Sequence, residues 1–384
     1  MAELSSNTIN GKLVENGTKP RLDWVDFAKG FCIIMVVMFH STKEIEDAVG
    51  HQGFLQYVVT FARPFRMPDF FLISGIFLAR VINLDWRTYL DRKVVHFIYF
   101  YAIWIAIHLL VQLPDFMHHG GIAAVVYSYL EAFIQPLGTL WFIYQLPIFF
   151  VVAKLTRRVP PALIFVVASA LEITHLNTGS IIIDQFASRF IYFYSGYWLA
   201  PKIFSLAAWV RAKPFLAVLS LIAWSFINGA IAFAGYASKP FISLPLGFAG
   251  AAAVVTIAVL LVNTTLGKPL RYCGKNSIVV YLSFFLPEHA TKLLLLKSHL
   301  IPDVGMMSLI TTAASVIGAL LIWWSVRNTR LSFLFARPKR FYLDTSKPTA
   351  PYFLNWRVLG SRMLRGKWKL NKIKTEQPTP IEPQ

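Results

Sequence analysis

The stretch Ala28–His40, AKGFCIIMVVMFH, holds a lysine at one end of an apolar run and a histidine at the other. A helix crosses a bilayer core of about 30 Å with about 20 residues. The thirteen residues from Gly30 to Thr42 carry no formal charge but are too few, so a spanning helix must begin before Lys29 and take Asp26 with it. Eleven residues turn an α-helix by roughly 1100°, three turns plus about 20°, and advance it about 16 Å. Lys29 and His40 therefore share a face, with Asp26 within about 60° of it. One account has Lys29 snorkelling to the interface, Asp26 pairing with it and His40 capping the far end. The other has the stripe lining a polar cavity, because ionisable groups turned to lipid would cost several kcal/mol each.

The rest of the chain supports a bilayer setting. Of its 384 residues 56% are hydrophobic and only 15% charged, which reads as a polytopic membrane protein. The 32 Phe, 15 Tyr and 11 Trp suit a bilayer body and its interfaces. The net charge of +18 is placed unlike a nucleic-acid surface: from Arg327 onward thirteen Lys or Arg face only Asp344, Glu376 and Glu382. No nucleic-acid partner is expected. Cys32 lies in an apolar run and Cys273 in a basic loop, so no disulfide framework is expected. The first twenty residues are polar, so the first span is expected to act as an uncleaved insertion signal.

Hydropathy predicts an all-α integral membrane protein, a bundle of about ten transmembrane helices with a basic cytoplasmic tail. The expected spans are Leu22 to Thr42, Phe54 to Ile82, Val94 to Leu113, Thr139 to Val152 and Ala162 to Ile173. They continue with Phe186 to Leu199, Pro214 to Gly235, Ile242 to Val262, Ser277 to Leu296 and Val304 to Val326. With the N-terminus inside, inner loops carry Arg80, Arg87, Arg92 and Lys93, then Lys154, Arg157 and Arg158, then Lys202, Arg211 and Lys213, then Lys268, Arg271 and Lys275. Among the alternate loops, Pro114 to Gly138 and Thr174 to Gln185 hold no Lys or Arg. This asymmetry predicts both termini in the cytoplasm. The chain then divides into a cytoplasmic segment 1–20, a transmembrane domain 21–327 and a basic tail 328–384. In that tail Tyr352–Leu370, YFLNWRVLGSRMLRGKWKL, suits a surface helix on anionic lipid, and TEQPTPIEPQ at the end suits disorder.

RLDWVDFAKGFCIIMVVMFH, Arg21–His40, resembles the opening helix of the membrane acyltransferase 3 family, marked by Arg or Lys, ten residues, then His. FRMPDFFLISGIFL, Phe65–Leu78, resembles its second-helix motif at Met67, Pro68, Phe70, Phe71, Ser74 and Gly75. LWFIYQL from Leu140, RFIYFYSGYW from Arg189 and GKNSIVVYLSFF from Gly274 follow in the family's usual order. The resemblance spans about residues 21 to 327 and is nearest the fucose and polysaccharide O-acetylase branch. It implies transfer of an acyl group, acetyl above all, from acyl-CoA to a hydroxyl of a saccharide or glycolipid acceptor in a bacterial inner membrane.

The same resemblance distributes the roles. His40 would be the catalytic base, or would bind the acyl group, and Lys29 would offset negative charge or hold a coenzyme phosphate. A base with a pKa near 7 suits attack by an alcohol. Asp26, Arg66, Asp69, Ser74, Trp141 and Arg189 become substrate-binding candidates, with Arg66 and Asp69 a potential local ion pair. Arg92 and Lys93 become the contacts of the acetyl-CoA or other acyl-CoA co-substrate. The chain departs from the family pattern in having Lys29 where many members have Arg, Arg66 where the branch often has His, and Lys93 and His96 for the usual basic pair. Phe284 or Phe285 stands where a late His is common, with His289 one turn on.

Each of these residues also has an ordinary structural account. Arg92 and Lys93 suit orientation signals, Trp141 an interfacial belt, and Asn276 and Ser277 a helix cap. Glu131 sits beside an apolar run. His118 and His119 point about 100° apart on a helix, and no zinc spacing occurs, so no metal is expected. Two other functions compete with acyl transfer. Ten spans with buried charges also suit a secondary transporter of a small polar solute, and a signalling or scaffold protein would need no cavity at Lys29.

Overall fold

The computed structural model describes residues 22–119, 121–298 and 301–343, and these contain helices and no strand. In chain order, α1 (Asp23–Val49) is followed by α2 (Leu55–Ala62), α3 (Arg66–Ile76) and α4 (Trp86–Leu90). A π-helical turn, Asp91–Val95, joins α4 to α5 (His96–Val111). Then come α6 (Leu113–His119), α7 (Gly121–Glu131), α8 (Trp141–Leu155), α9 (Pro161–Ile173), α10 (Ile181–Trp198) and α11 (Ala200–Ala212). The last are α12 (Pro214–Phe233), α13 (Ser243–Leu261), α14 (Gly267–Lys275), α15 (Ser277–Ser283), α16 (Phe285–Ser298) and α17 (Val304–Val326).

Six of these stretches are long and apolar enough to cross a membrane: α1, Trp86–Val111, Gly138–Arg158, α12, α13 and α17. A seventh is formed if α15 and α16, bent by 50°, are counted as one span. The expected number of about ten is therefore not reached by full-length spans, and breaks within two of the apolar runs account for part of the shortfall. Pro64 lies in the break between α2 and α3, and Pro287 in the first turn of α16, where the missing N–H favours a helix start. The expected span Ala162 to Ile173 is the 13-residue helix α9. The expected span Phe186 to Leu199 falls on α10 and its C-cap residue Leu199, and the 18 residues of the helix include Asp184 and Arg189. Residues 1–20 and the segments Tyr352–Leu370 and Thr375–Gln384 lie outside the described residues.

Helix α1 is the centre of the bundle and packs against α14, α17, α3 and α13. Its closest crossing is with α14. A Cβ at Gly30 would overlap the Leu270 carbonyl, and one at Gly274 would overlap the Asp26 carbonyl. The pattern is reciprocal, so the two helices run in the same direction there and touch backbone to backbone, as small residues allow in membranes. Helices α3 and α10 repeat the device: Gly75 meets the Phe193 carbonyl, and Gly196 meets the Leu72 carbonyl. Each glycine lies three residues beyond its neighbour's partner, which aligns Gly75 with Gly196 and Arg66 with the turn of α10 that carries Arg189.

The chain following α17 folds back onto α4 and α5. Arg337 Nη2 lies 2.8 Å from Asp91 Oδ2 with both side chains buried, and Arg337 also donates to the Asp91 carbonyl at 3.0 Å. The Leu343 amide donates to Asp91 Oδ1 at 2.8 Å, and the Trp104 indole to the Leu334 carbonyl at 2.9 Å. Buried Lys154 likewise donates to the carbonyls of Ile82 and Leu84. Removing one partner of a buried ion pair costs about 3–5 kcal/mol because the other charge is stranded. Arg337→Met is therefore expected to lower the thermal unfolding midpoint of the detergent-solubilised protein, and Asp91→Asn on top of it to restore part of the loss. Additive losses would show that the pair is not coupled.

Candidate active site

Lys29 stands where two cavities meet. The first, about 320 Å³, is lined mainly by aromatic and aliphatic side chains from α3, α5 and α8, with Lys29, Ser74, Lys93, Ser277 and Tyr281 as its polar groups. The second, about 390 Å³, is lined by Asp26, Lys29, Arg80, Lys275 and Ser277 together with Leu22, Val25, Phe77 and Ile278. They share Lys29, Phe77, Ser277 and Ile278. A charged mouth thus passes into an apolar chamber at one lysine.

The positions follow from the packing. The α1–α14 crossing at Gly30 and Gly274 brings Lys29 and Asp26 beside Lys275 and Ser277. The Lys29 ammonium lies 4.4 Å from the centre of the Phe77 ring, and the Arg80 guanidinium 5.2 Å from the same ring. Lys93, on the π-helical turn, lies 4.6 Å from the Phe150 ring and feels the charges of Lys29, Arg92 and Arg80. Such turns are frequent at functional sites because they re-aim side chains. Arg92 is half-buried beside Lys93 but outside the lining of either cavity. Ser74 lines the chamber while its hydroxyl donates to the Phe70 carbonyl at 2.8 Å.

The other end of the stripe has different surroundings. His40 is half-buried, with ring centres of Phe39 and Phe284 at 5.1 and 5.6 Å. It lines neither of the cavities that meet at Lys29, so the stripe of α1 does not open along its whole length into that space. The Arg66 guanidinium lies 3.7 Å from the Phe39 ring centre, close enough to act electrostatically on His40. Helix α3 and the turn that follows it run from Arg66 at this end to Ser74 and Phe77 at the Lys29 end, so they link the two regions.

Two expectations are corrected here. Arg66 and Asp69 form no ion pair: Asp69 is 1% exposed, both its carboxylate oxygens lack a hydrogen-bond donor, and Arg66 is engaged by Phe39 instead. Asn276 does not cap α15; its amide donates back to the Tyr272 carbonyl at 2.9 Å, while Ser277 lines both cavities. His289, one turn on from the position where the late histidine is common, is exposed. Its neighbour Glu288 is buried and accepts from Ser41, next to His40, at 2.9 Å. Trp141 is half-buried with its ring 6.0 Å from Phe71, away from both cavities. Glu131 is exposed. The side chains of His118 and His119 lie outside the description, and among the described residues no three His, Cys, Asp or Glu gather as a metal site.

The candidate residues thus fall into two groups. Asp26, Lys29, Ser74 and Lys93 surround the cavities, with Arg92 at their edge. His40, Arg66, Asp69 and Arg189 lie toward the opposite end of α1 and α3. Arg80, Lys275, Ser277 and Tyr281 belong to the first group although none stood out as a site residue in the sequence; basic character at an inner loop marked two of them, but only as orientation signals.

An all-helical integral membrane protein with a cationic mouth leading to an intramembrane chamber is the class this architecture defines. Residues 22–327 match the family described as an acyltransferase domain, and the chain belongs to this acyltransferase 3 family. A curated relative, "Inner membrane protein YcfT" of Escherichia coli (strain K12), is 26% identical over 231 residues. That match covers 53% of this chain and 65% of the relative, so less than two thirds of the relative's length is spanned. No solved structure matches.

Water access to the chamber gives a direct check. With Cys32 and Cys273 replaced by Ala, Ser277→Cys is expected to react with a small water-soluble methanethiosulfonate in membranes at least about tenfold faster than Ala28→Cys, because thiol reactivity follows access to the thiolate. Ala28 is 0% exposed. Equal rates would mean that no aqueous path reaches the cavity.

Proposed function

We propose that this protein transfers an acyl group, acetyl in the simplest case, from acyl-CoA to a hydroxyl of a saccharide or glycolipid acceptor. The setting is the bacterial inner membrane with both termini cytoplasmic, as the loop charges and the inner-membrane relative suggest. The observation that carries this reading is the junction at Lys29, where a cation-lined mouth meets an apolar chamber. That arrangement suits a donor with phosphates at one end and a thioester arm at the other. Arg80, Lys275 and Lys29 would hold phosphate oxygens, and Lys93 and Arg92 would add to the same field. Phe70, Phe77, Phe97, Phe142 and Phe150 would enclose the arm.

In the reaction the acceptor oxygen bonds to the thioester carbonyl carbon, the carbon–sulfur bond breaks, and the hydroxyl proton ends on the departing sulfur as free coenzyme A. His40 is assigned the transient proton, as general base. Because His40 lies about 16 Å along the helix from Lys29, the arm must run beside α3 past Ser74 toward Arg66. A positive charge at Lys29 would also favour charge developing on the carbonyl oxygen if the thioester stopped short of that point. Asp69 and Arg189 would bind the acceptor, and Trp141 would stack on a sugar ring at the edge.

One observation favours a different function. The bent pair α15 and α16, 50° at Phe284, is the kind of broken span that secondary transporters use near their substrates. Solute uptake into proteoliposomes without thioester consumption would establish that reading.

General-base assistance contributes about 10² to 10⁴ in rate. His40→Ala is accordingly expected to reduce transfer from labelled acetyl-CoA in membranes by that factor, with insertion unaltered. Lys29→Met is expected to raise the KM for acetyl-CoA at least as strongly as it lowers kcat. Undiminished transfer by His40→Ala would refute the base assignment.

A further inference from the structure

Two half-buried arginines, Arg66 and Arg189, lie within electrostatic reach of each other at the His40 end of the bundle. The α3–α10 crossing sets Arg66 on the same level as the turn that carries Arg189, and the two are near enough to repel. Nη1 of Arg66 and Nε of Arg189 are both buried without a hydrogen-bond acceptor. Neither side chain forms an ion pair among the described residues, whose salt bridges involve other partners. The Arg66 guanidinium carbon lies 3.7 Å from the ring centre of Phe39, one residue from His40.

Two carboxylates lie nearby; the charge of Glu172 reaches Arg189, but neither carboxylate accepts a hydrogen bond from these buried donors. Asp69 is close to Cys32 and Tyr192, and both its oxygens are unpartnered. Glu172 faces the Tyr192 hydroxyl at 3.5 Å, leaving its Oε2 buried and unpartnered. Buried guanidinium N–H groups without acceptors are costly, and two like charges side by side add to that cost. A bound anion removes both penalties, since its oxygens accept from the two forks and its charge separates them.

On the acyltransferase reading, we infer that the acceptor saccharide carries an anionic group, a carboxylate or a phosphate, which Arg66 and Arg189 hold between them so that a neighbouring hydroxyl is presented to His40. The anion supplies the acceptors that the two buried N–H groups lack. A neutral sugar would leave them stranded.

Equilibrium binding of three probes to the full chain in lipid nanodiscs tests this. Glucuronic acid presents a carboxylate, glucose 1-phosphate a phosphate, and glucose neither. At least one of the acidic probes is expected to bind at least about tenfold more tightly than glucose, the scale of a bidentate charge-assisted contact. The acid that is preferred tells an acidic sugar from a phosphorylated one. Arg66→Gln and Arg189→Gln are each expected to remove most of the preference. Equal binding of all three probes by the unaltered protein, or a preference that survives both substitutions, would overturn the inference. The unaltered protein is compared without acyl donor, so either result leaves acyl transfer from labelled acetyl-CoA to be decided separately.

Discussion

The backbone contact between α1 and α14 at Gly30 and Gly274 is the constraint on which the candidate site depends. Because neither position admits a side chain, the carbonyls of Asp26 and Leu270 sit against the opposing glycines, and the two helices cannot slide or turn relative to each other. Lys29 is thereby fixed beside Lys275 and Ser277, at the narrow point between the charged mouth and the apolar chamber. The equivalent crossing of α3 with α10 at Gly75 and Gly196 sets Ser74 at the chamber and Arg66 against Arg189. Two pairs of glycines therefore hold both ends of the proposed reaction path.

The path is chemically graded. Around Lys29 the side chains are cationic on one side and aromatic on the other, a boundary suited to a ligand whose charge and greasy parts are separate. Toward His40, outside the lining of either cavity, the half-buried Arg66 and Arg189 and the buried Asp69 keep polar atoms whose hydrogen-bonding capacity is not used within the protein. Such groups are expensive inside a bilayer and mark functional sites there. Asp91 and Arg337 show the opposite case, a charged pair whose partners are complete and whose evident role is to hold the chain after α17 on α4 and the π-helical turn that bears Lys93.

Much of the Lys29 end was legible in the sequence. The spacing of Asp26 and Lys29 within a run too short to exclude them already required that charges enter the membrane zone, and both residues line the mouth. The same helical arithmetic carried His40 onto that face, but a shared face is not a shared cavity, and the half-buried imidazole is flanked by Phe39 and Phe284 instead. The span count exceeded the full-length helices because hydropathy averages over breaks: Pro64 splits one apolar run, and the bend at Phe284 interrupts another. Arg66 and Asp69 are spaced for an ion pair, yet the aromatic face of Phe39 claims the guanidinium. Glu288 at Ser41 and Arg337 at Asp91 join residues 247 and 246 positions apart, contacts that local pattern cannot reveal.

The central claim is that the donor enters past Lys29. A photoreactive acetyl-CoA analogue carrying its reactive group on the adenosine portion, bound to the protein in native membranes and mapped by peptide mass spectrometry, addresses it most directly. Labelling is predicted on the mouth, within residues 22–29, 77–80 or 274–278, and is predicted to be displaced by unlabelled acetyl-CoA. Displaceable labelling confined to the His40 end, or to lipid-facing helices such as α12, would contradict the account.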